Sequence, residues 1–130
     1  MKISSFLILL AAILQLDLLQ GAQGTVFNDK NQNGRKDKGE PGLPNIAVSN
    51  GKEITKTNEQ GKWVLPHDED TIFFVIKPRD WRTPVNKDNI PQFYYIHKPN
   101  GSSPNLKYKG VEPTGPLPES IDFALIENKE

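Results

Sequence analysis

The chain has 130 residues with 16 Lys and Arg against 16 Asp and Glu, so its formal net charge is zero. A chain of this length builds one small domain, and without a basic surplus a nucleic acid is not expected as its partner. The sequence has no cysteine, which excludes a disulfide framework, cysteine-ligated zinc and a thiol nucleophile.

The first residues, 1–23, predict a secretory signal peptide. A lysine at position 2 precedes nine apolar residues, Phe6 to Leu14, and small residues lie between Gly21 and Gly24. This order is typical of a signal peptide that is cleaved near residues 21–24. A membrane anchor is the alternative, but the apolar run is far shorter than the ~20 residues of a spanning helix. We therefore expect a protein that is secreted, periplasmic or on the cell surface, with no membrane span.

Residues 24–77 predict short antiparallel strands. Apolar and polar residues alternate as in half-buried strands, and the turn sequences Asn50-Gly51 and Asn58 to Gly61 separate the runs. No stretch of the mature chain has helical periodicity. The pattern predicts an all-β fold, a small antiparallel immunoglobulin-like or prealbumin-like sandwich. The predicted strands are Gly24–Phe27, Ile46–Ser49, Lys52–Thr57, Lys62–Leu65 and Thr71–Lys77.

A calcium loop is predicted within this sandwich by the sequence "DKNQNGRKDKGE", Asp29 to Glu40. Side-chain oxygens fall at positions 1, 3, 5, 9 and 12, and Gly34 stands at position 6, where such a loop bends. A polar connection between strands is the alternative. Because no helix flanks the loop, we expect a structural Ca²⁺ rather than a sensor. The predicted ligands are Asp29, Asn31, Asn33, the carbonyl of Arg35, Asp37 and Glu40.

Residues 78–130 predict a proline-rich extended arm that belongs to the same domain. Eight of the eleven prolines lie between Pro78 and Pro118, and the run Ser120–Ile126 alternates like a closing strand. The arm carries more aromatic residues than a disordered linker would. Either it packs on its own sandwich or its rings form a docking surface, for which tyrosine is well suited. The predicted docking residues are Phe93, Tyr94, Tyr95 and Tyr108.

Two histidines complete the candidate residues. His67 begins the acidic turn "HDED", for which an exposed turn is favoured over a second metal site. His97 follows "FYYI" and is expected to pack or to form a hydrogen bond rather than to bind a metal. The sequence contains no G-x-S-x-G, no H-E-x-x-H and no phosphate-binding glycine loop.

The segment "GTVFNDKNQNGRKDKGEPGLPNIAVSNG" with "TNEQGKW" resembles the calcium-binding B-type repeats of bacterial surface adhesins and related prealbumin-like domains. This resemblance covers Gly24 to about Leu65. It implies a fold and a calcium loop more than a function, because many secreted proteins share it.

A longer resemblance covers Gly24 to about Glu127. "DTIFFVIKP", "PQFYYIHKPNGSSP", "LKYKGVEPTGPLP" and "SIDFALI" are similar to the N-terminal domain of secreted bacterial calcineurin-like metallophosphoesterases. The resemblance implies a non-catalytic accessory module whose partner is a phosphoesterase catalytic domain, which lies in cis in relatives. For this chain the alternatives are a fragment, a split gene product whose catalytic domain acts in trans, or a module that acts without its enzyme. The Asp-x-His and Gly-Asn-His segments of a two-metal site are absent, so we expect no enzyme activity. A free-standing surface spacer or adhesion module is the alternative, and a carbohydrate-binding module is a weaker one.

Overall fold

The structure, a computed structural model, describes residues 21–105 and 109–128. Eight strands account for the regular structure of these residues. The described residues contain no helix that is long and apolar enough to span a membrane. The predicted signal peptide lies almost entirely outside the described residues. The strands are β1 (Ala22–Asn28), β2 (Ala47–Ser49), β3 (Ile54–Lys56), β4 (Lys62–Leu65), β5 (Thr71–Ile76), β6 (Trp81–Arg82), β7 (Tyr94–His97) and β8 (Phe123–Glu127).

The strands form two four-stranded sheets, so the predicted all-β sandwich is confirmed. The first sheet has the order β4-β1-β8-β6 and the second has the order β3-β2-β5-β7. Every pair is antiparallel except β1 with β8, which is parallel. The first and last strands of the chain therefore lie side by side at the centre of the first sheet.

The core lies between the two sheets and is centred on Trp63. Its ring stacks on Phe123 at a centroid distance of 6.0 Å and packs at 5.7 Å against Phe73 of the opposite sheet. All three side chains are buried, and burial of a side chain of this size stabilises the fold by about 1.5–3 kcal/mol. Strand alternation explains the arrangement, because Trp63 and Leu65 face inward while Lys62 and Val64 face outward.

The centre of the first sheet depends on a close backbone approach at Gly24. The N–H of Ile121 donates to the carbonyl of Gln23 at 2.8 Å, and a Cβ on Gly24 would lie 1.6 Å from the carbonyl oxygen of Ile121. The N–H of Thr25 then donates to the Asp122 carboxylate at 3.0 Å. Only glycine lets the segment before β8 approach β1 this closely.

The proline-rich arm contributes two short strands, both at sheet edges. β6 pairs with the end of β8, and β7 pairs with β5. Prolines at positions 78, 84, 91 and 99 lie outside these strands. Because proline cannot donate to a ladder, edge positions are the ones that such a segment can occupy.

The hairpin between β2 and β3 is longer than the predicted two-residue turn. The side-chain oxygen of Asn50 accepts hydrogen bonds from the N–H groups of Lys52 (2.9 Å) and Glu53 (2.7 Å). These bonds hold residues 50–53 as the connection, so β3 starts only at Ile54. A side chain that competes for backbone donors in this way shortens the adjacent strand.

Candidate metal site and docking surface

The predicted calcium loop leaves the end of β1 and has both of its ends fixed by backbone hydrogen bonds. The N–H of Asn28 donates to the carbonyl of Pro41 at 2.9 Å, and the N–H of Asp29 donates to the carbonyl of Leu125 in β8 at the same distance. Strand pairing thus brings the two ends of the loop together without flanking helices.

Asp29, the first predicted ligand, is buried with 1% of its surface exposed. One carboxylate oxygen, Oδ2, accepts the N–H of Gly34 at 2.8 Å. Gly34 has a φ of 79°, a conformation that glycine adopts without strain and that turns its N–H into the loop. The other oxygen, Oδ1, is buried without a hydrogen-bond partner.

Glu40, the last predicted ligand, is arranged in the same way. It is buried, and its Oε1 accepts the N–H of Asp37 at 2.9 Å, while Oε2 is buried without a partner. A buried carboxylate oxygen without a donor is costly. Two such oxygens at the first and twelfth positions of one loop fit a bound cation, which would supply the missing charge.

The middle of the loop is arranged differently from a calcium-loaded one. The amide nitrogens of Asn31 and Asn33 donate to Oδ2 of Asp37 at 2.7 and 2.6 Å, and these two bonds lower the pKa of the Asp37 carboxyl. Their amide oxygens accept the N–H groups of Asn33 and Arg35. The amide nitrogens of both residues, and not their oxygens, therefore face Asp37. Because calcium binds oxygen, both amides would have to rotate so that their oxygens face the ion.

The predicted ligands are thus brought together in part. Asp29 and Glu40 present free buried oxygens, whereas Asn31, Asn33 and Asp37 are bonded to one another. Across residues 21–105 and 109–128, no three His, Cys, Asp or Glu side chains converge as a metal site. The sequence spacing could not distinguish these arrangements, because it does not fix which end of an amide faces the loop.

The predicted docking residues in and next to β7 differ in their exposure to solvent. Phe93 and Tyr94 are exposed by 40% and 38%, with ring centroids 5.0 Å apart in an edge-on arrangement. Tyr95 lies opposite Phe73 and packs half-buried against the core. Tyr108 lies outside the described residues. Of the predicted docking residues that the structure describes, Phe93 and Tyr94 are therefore the exposed ones.

His97 is a buried residue at the end of β7, opposite Thr71. Its ring meets that of His67 edge-on at a centroid distance of 5.5 Å, and its Nδ1 has no partner. Burial lowers the pKa of His97, the nearby His67 lowers it further, and Asp70 acts in the opposite direction. The imidazole is therefore a neutral packing group. Strand alternation is consistent with this role, because His97 and Tyr95 lie on the same inward face of β7.

The acidic turn after His67 is bonded to lysines. Lys52 lies 2.6 Å from Asp68, and Lys98 lies 2.9 Å from Asp70. All three turn carboxylates, including Glu69, are exposed. This arrangement corresponds to the exposed turn rather than to a second metal site.

Comparison with protein families matches residues 30–112 to the N-terminal part of calcineurin-like phosphoesterases. The match covers more than half of the chain, and the chain belongs to this family. The resemblance to the N-terminal domain of calcineurin-like phosphoesterases is thereby confirmed. Comparison with curated proteins gives no match. The matched residues begin inside the loop and end before β8, although β1 and β8 form the centre of the first sheet.

The adjacent tyrosines of β7 give a direct test of their placement. We expect Tyr95→Ala to lower the free energy of unfolding by about 3 kcal/mol or more, because truncation of a packed aromatic leaves a cavity. Tyr94→Ala, the matched control on the opposite face, should cost less than about 1 kcal/mol. Urea denaturation of the two variants and the parent measures both. Equal losses in the two variants would contradict the placement.

Proposed function

We propose that the chain is a non-catalytic, calcium-stabilised accessory module of a secreted calcineurin-like phosphoesterase. The observation that carries the proposal is the match to the N-terminal part of these enzymes, which falls on a folded sandwich. In relatives the catalytic domain belongs to the same polypeptide.

The proposed role of calcium is to complete the loop between β1 and Pro41. Asp29 and Glu40 would hold the ion through their buried oxygens. Asn31, Asn33, the carbonyl of Arg35 and Asp37 would complete the ligand set once the two amides turn over. The ion would neutralise buried negative charge. Since the N–H of Asp29 is bonded to Leu125, stabilising the loop also stabilises the pairing of β1 with β8.

The magnitude of this effect follows from binding linkage. A ligand present at about 100 times its dissociation constant, and bound only by the folded state, adds about 2.7 kcal/mol to stability. A small domain is stable by only about 5–15 kcal/mol. Calcium at extracellular concentrations would therefore supply a substantial share of the stability of the domain.

Calcium should raise the melting temperature of the protein by about 10–20 °C relative to chelator, because the gain is about 2.7 kcal/mol and 1 kcal/mol shifts a domain of this size by about 4–8 °C. Asp29→Asn should lose this shift, because it removes the anchoring charge but leaves an acceptor for Gly34. In chelator the same variant should be at least as stable as the parent, since an uncompensated buried charge is gone. Calorimetry with and without calcium measures both effects.

The matched control for Asp29→Asn is Asp68→Asn, which removes an exposed carboxylate outside the loop. This variant should keep the full calcium shift. A shift of less than about 2 °C in the parent, or an undiminished shift in Asp29→Asn, would contradict a structural ion in this loop.

The non-catalytic role predicts that the purified chain does not hydrolyse an aryl phosphate with manganese, zinc or iron supplied. A two-metal hydrolase needs several converging ligands, and no such group forms within the described residues. A calcineurin-like catalytic domain assayed in the same buffers is the positive control. Turnover that follows the chain through every purification step and stops on metal removal would refute this role.

The proposed secretion gives a prediction about processing. Ala22 is buried and pairs with Leu65 in β4, so a boundary after residue 23 would remove two paired residues of β1. We therefore expect the exported protein to begin at Ala22 or earlier. Intact-mass measurement and N-terminal sequencing of exported protein test this, with Leu9→Arg as the export-deficient control. A mature chain that starts at Gln23 or later would be the contrary result.

A further inference from the structure

The outer face of the second sheet is apolar, although it is turned away from the core. Val48, Phe73 and Val75 point inward, so the residues that alternate with them point outward. Of the nine outward positions that the strand register defines, only Lys56 is charged. We call this surface the outer face, and its large apolar members are Ile54, Ile72, Phe74, Ile76, Tyr94 and Ile96.

The outer face is exposed to a degree that is unusual for such residues. Ile54 is 67% exposed, Ile72 51% and Ile76 43%. An antiparallel sheet that has one face on the core normally presents polar residues on the other. A contiguous exposed apolar patch marks a surface that another molecule or domain covers.

Strand register makes the patch continuous across all four strands. Tyr94 lies opposite Phe74, and Ile96 lies opposite Ile72. Ser49 stands between Phe74 and Ile54. Directly opposite side chains in antiparallel strands are about 4.5–5.5 Å apart at Cβ, so the rows leave no polar gap wide enough to divide the surface.

We infer that the outer face is the surface against which a calcineurin-like phosphoesterase catalytic domain packs. This inference rests on the function proposed above and names the contact surface. Phe93 extends the outer face beyond β7, because its ring lies edge-on to Tyr94 at 5.0 Å. Tyr95 has no part in it, since its side chain faces the core.

The size of the patch favours a covalently linked domain over a second copy of this chain. Exposed side chains of this kind present on the order of 500 Å² of apolar surface. Domains in one polypeptide share interfaces of about 600–1,500 Å² in total, half from each side, and a linker supplies an effective concentration near ~1 mM. A stable free dimer needs about 800 Å² from each partner, more than the patch offers.

The end of β8 is placed where a following domain can reach the outer face. Glu127 pairs with Trp81, and the N–H of Asn128 donates to the carbonyl of Asp80 at 2.9 Å. Asp80 lies four residues after Ile76 of the outer face. Packed sheets are about 10 Å apart and an extended chain covers about 3.3 Å per residue, so about three residues span the distance between the sheets. A linker of about twice that length passes beyond the second sheet to its outer face.

The test uses the full chain and, as probe, the catalytic domain of a calcineurin-like phosphoesterase expressed without its own N-terminal domain. Ile72→Lys places a charge at the centre of the outer face and should weaken binding of the probe at least tenfold by calorimetric titration. Val64→Lys is the matched control, because Val64 is 54% exposed on the first sheet. It should change affinity by less than twofold. Melting curves confirm that both variants fold.

Hydrogen exchange of the chain with the probe bound supplies the second measurement, and β5 and β7 should gain protection. Binding that survives Ile72→Lys and protects another surface would overturn the inference while the proposed function stands. Absence of binding at about 1 mM, the concentration a linker would supply, would overturn both. Self-association that Ile72→Lys abolishes, with the probe bound elsewhere, would identify a second copy as the occupant and also overturn it.

Discussion

The parallel pairing of β1 with β8 is the interaction on which the rest of the structure depends. It joins the first strand to the last, with Val26 opposite Phe123 and Asn28 opposite Leu125. Phe123 then stacks on Trp63, the centre of the core. Since the two strands are almost one hundred residues apart in sequence, the loss of loop entropy must be offset by contacts that form only when the sandwich closes. The glycine at position 24 permits those contacts by letting the Ile121 backbone approach β1.

The same pairing explains why the candidate calcium loop is rigid at its ends. The ladder continues for one bond past the last pair, from the N–H of Asp29 to the carbonyl of Leu125. A carboxylate is thereby carried into the interior, where one of its oxygens has no donor. The family match, residues 30–112, excludes both strands of this pair. A fragment limited to those residues would expose the Trp63 ring that Phe123 covers, so the folding unit is longer than the match.

The sandwich could be predicted wherever strand alternation was clear, and the loop could be predicted from the spacing of its side-chain oxygens. In β4 the inward Trp63 and Leu65 alternate with Lys62 and Val64, and the strand was placed correctly. The run around β7 could not be resolved in this way, because Tyr94 and Ile96 are apolar on one face while Tyr95 faces the core on the other. Periodicity carries information only when the two faces of a strand differ in polarity. The orientation of the loop amides could not be predicted from the sequence for a different reason. It depends on which hydrogen-bond donors compete for the same acceptors in the folded loop.

The strands of the second sheet are apolar on both faces, which hides their periodicity. The inward face stabilises the domain, whereas the outward face is the one proposed for docking. Phe73 and Phe74 are neighbours in β5, but the first packs on Trp63 and the second belongs to the outer face. The proposed calcium loop acts on the first sheet through Leu125 of β8, whereas the outer face is built entirely on the second. The two sheets pack on each other through the core around Trp63, and β3 also contacts β4. Loss of calcium would therefore loosen β8 and the end of β1 before it disturbed the outer face, and the surface proposed for docking would keep its shape as long as the core around Trp63 stayed packed.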